Sequence, residues 1–353
     1  MVIHNNIKYL ISVILVMAAV SCNSEEEYYE AADFVKVPKT DAHFHYLTPE
    51  TEYMEFAESL NFRLLNPIWE GEVPIDTQLA ISTIIKQKHP LSYRFFTSFP
   101  TNNISDKNFA DSAIDYIRMA MNKGATGVKI WKNIGMVIRM TDSSFLMADG
   151  PVLAPLFKYL TANKIPVIGH LGEPKDCWLP LDQMTDRGDS VYYAGNPWYH
   201  MYFHPEVPSY EKQIEAMEKL LENNPGLDYT GAHLASIEWS IDELAELLDR
   251  FPGMKVDLAA RISHLQSQSD DDREHVRNFF IKYQDRIVYG TDSEVHDVPG
   301  KNPSELKEGL SRGWQNHWNY LATDSCRGHA GLRLPRKVID KIYYLNTNKY
   351  YNQ

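Results

Sequence analysis

Three observations predict an α/β chain closed into a (β/α)8 barrel. Eight short apolar or β-rich segments recur between longer amphipathic stretches over residues 37–353, a length normal for one such barrel. The regular alternation of the two patterns calls for parallel strands with helical crossovers. An open, doubly wound sheet would carry a Gly-rich phosphate loop after its first strand, and here that position holds two histidines instead.

The strand candidates, in order, are 37–45, 62–66, 93–99, 127–131, 166–170, 228–233, 254–258 and 286–290. Between them, 108–123, 151–162, 210–223, 241–250 and 273–283 repeat apolar residues three and four apart, the period of a helix with one buried face. There is no internal repeat. The longest connection, 171–210, carries Trp178, Tyr192, Tyr193, Trp198, Tyr199, Tyr202 and Phe203. A loop of that length in a compact domain usually serves as a lid or pocket wall, which makes Trp178 and Trp198 candidate substrate contacts. Packing of the same rings on the barrel rim is the competing expectation.

Residues 1–21 place Lys8 ahead of an apolar run, 9–20, that is too short to span a bilayer comfortably, and so read as a signal peptide. The run ends in Ala19-Val20-Ser21-Cys22, which resembles a bacterial lipobox but departs from it at Ala19, where Leu is commonest. The resemblance implies lipidation of Cys22 and a cell-envelope protein touching the membrane only through that anchor, in the outer membrane or facing the periplasm, with surface exposure open. Residues 22–36 include Glu25-Glu26-Glu27 and read as an acidic tether, leaving 37–353 as a single domain. A net charge of −12 gives no basic footprint, so nucleic acid is excluded as a partner. Cys177 and Cys326 are free to pair in an oxidising compartment, but spacing does not show that they meet.

In a (β/α)8 barrel the reactive groups stand at the C-terminal ends of strands. His43 and His45 are one residue apart and therefore share a strand face. A chain with this many histidines carries such a pair by chance in roughly one case in two or three, so the pair needs company. It has company: Lys129 ends the fourth strand, His170 the fifth, His233 the sixth and Asp292 the eighth. By contrast, His89, His264, His275 and His317 fall in expected helices or loops. Four histidines and an aspartate at strand ends are the donor set of a metal centre.

The ordered motifs Asp41-Ala-His-Phe-His45, Gly127-Val-Lys-Ile130, Ile168-Gly-His-Leu171, Gly231-Ala-His-Leu234, Val256-Asp-Leu-Ala-Ala-Arg261 and Tyr289-Gly-Thr-Asp292 resemble the amidohydrolase superfamily, in its amidohydrolase-related (amidohydrolase 2) branch. The resemblance implies a metal-dependent hydrolase barrel in which His43, His45, His170 and Asp292 surround a divalent metal. His233 would then bind a second metal or act beside a single one. Lys129 would bridge two metals if carboxylated, or face the pocket as a cation. Membership of this branch favours one ion over two.

Imidazole and carboxylate donors suit zinc, which lowers the pKa of bound water from 15.7 to about 7. Asp292 would accept the water proton and pass it to the leaving group, while the metal and His233 polarise the substrate oxygen. Lys129, Arg261 and Glu173 could read the substrate, Arg261 through its bidentate fork. Asp41 and Ser293 are expected to hydrogen-bond behind the centre. The function expected is hydrolysis of an amide, ester or lactone bond in a small polar molecule. The alternatives are a metal-dependent decarboxylase or lyase of the same superfamily, and a surface binding lipoprotein that has lost its ligands.

Overall fold

The chain, described here from a computed structural model, is defined over residues 27–296 and 302–351. The expected signal peptide, Cys22 and the first part of the expected tether lie outside the described residues.

Strand β1 (Lys39–Asp41) continues past a break into β2 (Phe44–Tyr46). β1 pairs in parallel with β3 (Phe62–Pro67), which pairs in parallel with β4 (Tyr93–Phe96). A second parallel run joins β5 (Val128–Ile130), β6 (Val167–Gly169), β7 (Tyr229–Gly231), β8 (Lys255–Asp257) and β9 (Ile287–Val288). Two seams close the ring. A parallel bridge from Thr97 to Val128 joins β4 to β5. On the other side β10 (Ser293–Val295), which follows β9, pairs with β2, and the Asp292 N–H donates to the His43 carbonyl at 2.8 Å. The barrel therefore has eight strand positions, and its first and eighth strands are both interrupted where they meet. That is where His43 and Asp292 stand.

The helices form because their apolar residues fall on one face. Helix Phe109–Asn122 buries Phe109, Ala113, Ile117 and Ala120, and helix Ile241–Arg250 opens with the Ser240 hydroxyl accepting the Glu243 N–H. The expected helix at 273–283 is the second half of Ile262–Lys282, whose backbone breaks at Asp272 with φ −148°. Its first half is too polar to show the helical stripe.

At the N-terminal ends of the strands the C-terminal segment seals the barrel. Arg63 holds Asn348, Arg94 holds the Tyr350 carbonyl, and Lys349 pairs with Asp228. The Tyr350 ring enters the interior among Leu65, Phe96, Ile168 and Ala232. Residues 27–36, expected in the tether, pack on the same body. The Arg336 N–H donates to the Glu27 carbonyl at 3.0 Å, Trp318 to the Glu30 carbonyl at 3.2 Å, and Phe34 is buried. Packed structure thus already covers the ten residues before the expected boundary at 37, because Tyr28, Tyr29 and Phe34 supply apolar anchors that the acidic run conceals. Among the described residues no helix is long and apolar enough to cross a membrane. Cys177 and Cys326 are both buried and free.

Candidate metal centre

Six strand ends bring one cluster together. Asp292 Oδ1 lies 3.1 Å from His45 Nε2 and 3.3 Å from His43 Nε2. The His233 ring lies tilted 4.7 Å from that of His43 and edge-on 4.2 Å from that of His170, centroid to centroid. Lys129 Nζ sits 3.1 Å from His43 Nε2. Within this cluster two sets of donor atoms lie within 4.8 Å of one another: His43 with His45 and Asp292, and His43 with His233 and Asp257. His170 belongs to neither set and joins the cluster through His233.

The backbone is bent to make this happen. His233, Leu234, Ala235 and Ser236 all have φ between 57° and 59°, and Ala260 and Asp292 have φ 55° and 63°. Left-handed backbone costs a residue with a Cβ about 1–2 kcal/mol. Six such residues after β7, β8 and β9 are strain concentrated where the side chains converge. Glycine serves the same packing at Gly290, where an added Cβ would meet the His43 Cβ at 2.9 Å.

These residues fit a bound metal. Bonds of about 2.0–2.2 Å at roughly 90–110° set neighbouring ligand atoms roughly 3.0–3.5 Å apart, the spacing found around Asp292 Oδ1. In addition, His170 Nε2, His233 Nε2 and His45 Nδ1 are buried without a hydrogen-bond partner, a cost a cation would remove for the nitrogens facing it. A cavity of about 360 Å³ opens onto the centre, its walls including His170, His233, Asp292, Lys132 and Arg261. Larger clefts, of about 460 and 510 Å³, run between surface helices and touch none of the strand-end histidines.

The family model described as amidohydrolase matches residues 40–353. The chain belongs to the amidohydrolase family. Solved structures similar to this amidohydrolase share its fold at low identity. An amidohydrolase II structure is 16% identical with a TM-score of 0.56, covering 89% of this chain and 100% of its own. An uncharacterised TIM-barrel protein from Bordetella bronchiseptica is 14% identical, with a TM-score of 0.52 and coverage of 90% and 100%. The 2,6-dihydroxybenzoate decarboxylase from Rhizobium is also 14% identical, with a TM-score of 0.51 and coverage of 90% and 99%. Comparison with curated protein sequences returns no match.

Protonation in this amidohydrolase follows from burial and from what each ring touches. Burial brings the His45 pKa down to about 4, against the pull of Asp292. His170 and His233 lie well below the ordinary histidine value, first through burial and then through neighbouring positive charge. All three offer neutral nitrogens at neutral pH, as ligation requires. His233 Nδ1 lies 2.9 Å from the Ala259 carbonyl, which can only accept, so the proton is on Nδ1 and Nε2 carries a lone pair. Burial lowers Lys129 to about 8, although Asp257 and Asp292 oppose it. A metal on His43 Nε2 and an ammonium on Lys129 would compete for one lone pair, so metal binding requires Lys129 neutral, modified or displaced.

The other expected residues divide. Arg261 lines the cavity, 8% exposed, with its Nε unpartnered. Glu173 touches both His170, at 3.6 Å, and Lys132. Trp178 and Trp198 do not line the cavity: Trp178 packs 5.7 Å from Tyr210, and Trp198 is 63% exposed on the rim. Tyr192 and Tyr193 of the same loop line it instead. Asp41 accepts from Thr291 and Trp314 behind the centre, as expected, and the Ser293 N–H donates to the Thr291 hydroxyl at 3.0 Å.

Two site residues escaped the sequence analysis. Lys132 lies just past β5, beyond the strand end where reactive groups were sought. Asp257 is the last residue of β8, and the strand-end rule applied to every acid would have found it. Burial disfavours the Asp257 charge, yet His43, His233 and Lys129 hold its pKa down to about 2.

Proposed function

We propose that this amidohydrolase hydrolyses an amide, ester or lactone bond in a small polar molecule at a single divalent metal, zinc preferred, held by His43, His45, His170 and Asp292. The observation carrying the proposal is Asp292: its Oδ1 lies within 3.3 Å of two histidine nitrogens while the residue also faces the cavity. A bound divalent cation supplies Lewis acidity and an activated water. Asp292 accepts a proton on its carboxylate and returns it to the leaving group. His233 offers Nε2 as an acceptor, so beside this single ion it acts as a base. This departs from the expectation that it polarises the substrate oxygen, since a neutral ring with Nδ1–H committed to Ala259 has no second proton to donate. Arg261, Lys132 and Glu173 orient the substrate. With every expected donor present, a binding protein that has lost catalysis is the weaker reading. Anchoring through Cys22 completes the proposal and is tested by lipid labelling of wild type against Cys22→Ser.

Decarboxylation is the second reading, favoured by the pair of cations Lys132 and Arg261 in the cavity wall and by the fold shared with the Rhizobium decarboxylase. Incubation with ester, lactone, amide and aromatic-acid panels in ¹⁸O water separates the two. Hydrolysis places ¹⁸O in the product acid. Release of CO₂ with no ¹⁸O incorporated overturns the hydrolase proposal in favour of the second.

A further inference from the structure

We propose that Asp257 is a positioning residue that determines which nitrogen His43 presents to the metal and which nitrogen His233 turns into the same centre; the inference rests on the centre proposed above. Asp257 is fully buried at the C-terminal end of β8. Its two oxygens have separate tasks. Oδ2 lies 2.8 Å from His43 Nδ1, and Oδ1 accepts the backbone N–H of His233 at 2.7 Å and of Ala259 at 3.1 Å.

A carboxylate only accepts, so the His43 proton resides on Nδ1. That leaves the lone pair of His43 on Nε2, the atom 3.3 Å from Asp292 Oδ1 and 3.1 Å from Lys129 Nζ. The bond to the His233 N–H pins the first residue of the left-handed turn, at φ 57°. The bond to the Ala259 N–H locates the residue whose carbonyl takes His233 Nδ1–H at 2.9 Å. One carboxylate thus holds two histidines in the form that leaves Nε2 bare, the first directly and the second through backbone. Partners of this kind, behind the ligand, orient it and fix its tautomer.

Asp257→Asn tests the assignment because it keeps volume and the Oδ1 acceptor but replaces Oδ2 with a donor. Two donors cannot face each other, so His43 must shift its proton to Nε2. The expected result is a folded protein whose ¹⁵N ring spectrum shows that transfer, assigned against His43→Gln. Its zinc affinity, read by chelator competition, should fall about 10–100-fold. A merely structural role would lower the melting temperature and leave the tautomer and affinity unmoved. Retention of the Nδ1 proton with zinc affinity within threefold of wild type overturns the proposal. If Asp257→Asn does not fold, the wild-type spectrum decides, and His43 protonated at Nε2 overturns it. Wild type that binds no zinc but keeps the His43 Nδ1 proton would reject the metal centre while upholding the hydrogen-bond clamp.

Discussion

The two ends of the barrel use the same kinds of residue to opposite purposes. At the N-terminal ends of the strands, Arg63 and Arg94 each find a partner in the segment that closes the floor, Lys349 of that segment pairs with Asp228, and Tyr350 fills the interior. Buried Lys39 there donates to the carbonyls of Phe34 and Val37 and lies 4.8 Å from the Phe62 ring centroid. At the C-terminal ends, imidazole nitrogens are buried without partners, six residues with a Cβ take left-handed backbone, and a cavity opens. One end is satisfied and contributes stability. The other holds strain and unspent polar atoms, the condition of a site prepared for a ligand.

Substitutions at the two ends should therefore separate activity from stability. The largest effect belongs to Asp292→Asn, which should lower turnover of any substrate found in the panels by about 10²–10⁴-fold while leaving urea unfolding within error of wild type or slightly more stable. Loss of stability in step with activity would break the comparison. Tyr350→Ala should do the reverse, costing about 3–5 kcal/mol in urea unfolding with zinc affinity unchanged. Gly290→Ala sharpens the contrast by acting on both properties. Its Cβ meets His43 at 2.9 Å, so stability should fall by about 1–3 kcal/mol and zinc affinity should weaken in the same protein.

Smaller effects follow from titration and from the rim. Burial lowers the Lys39 pKa from 10.5 to about 7. Between those two values the unfolded chain binds a proton that the folded chain does not, so this group makes stability rise with pH across the window. Lys39→Met should flatten the rise between pH 7 and 9.5, measured as the difference in urea unfolding from wild type. Trp198→Ala, at a ring 63% exposed, should change stability by less than about 0.5 kcal/mol and leave zinc affinity untouched.

The barrel was legible because its strands are apolar and punctuated, and each of the eight expected segments overlaps a strand of the ring. The histidines and Asp292 were legible because the fold rule states where to look. Asp257 stands at a strand end that the same rule reaches, but its role was hidden, since it depends on a partner 214 residues away that only the closed ring brings within 2.8 Å. Trp178 and Trp198 were misplaced because aromatic content marks a loop as important without saying which rings turn inward. The His233 tautomer was hidden for a related reason: it is determined by the Ala259 carbonyl, a backbone group with no sequence signature.

Metal content tests the central claim most directly. Purified mature protein, reconstituted with zinc and dialysed, is measured by elemental analysis beside His43→Ala. The proposed centre predicts close to one ion retained per wild-type chain and almost none in the variant. Wild type that retains no metal, or a variant that retains as much as wild type, would contradict it.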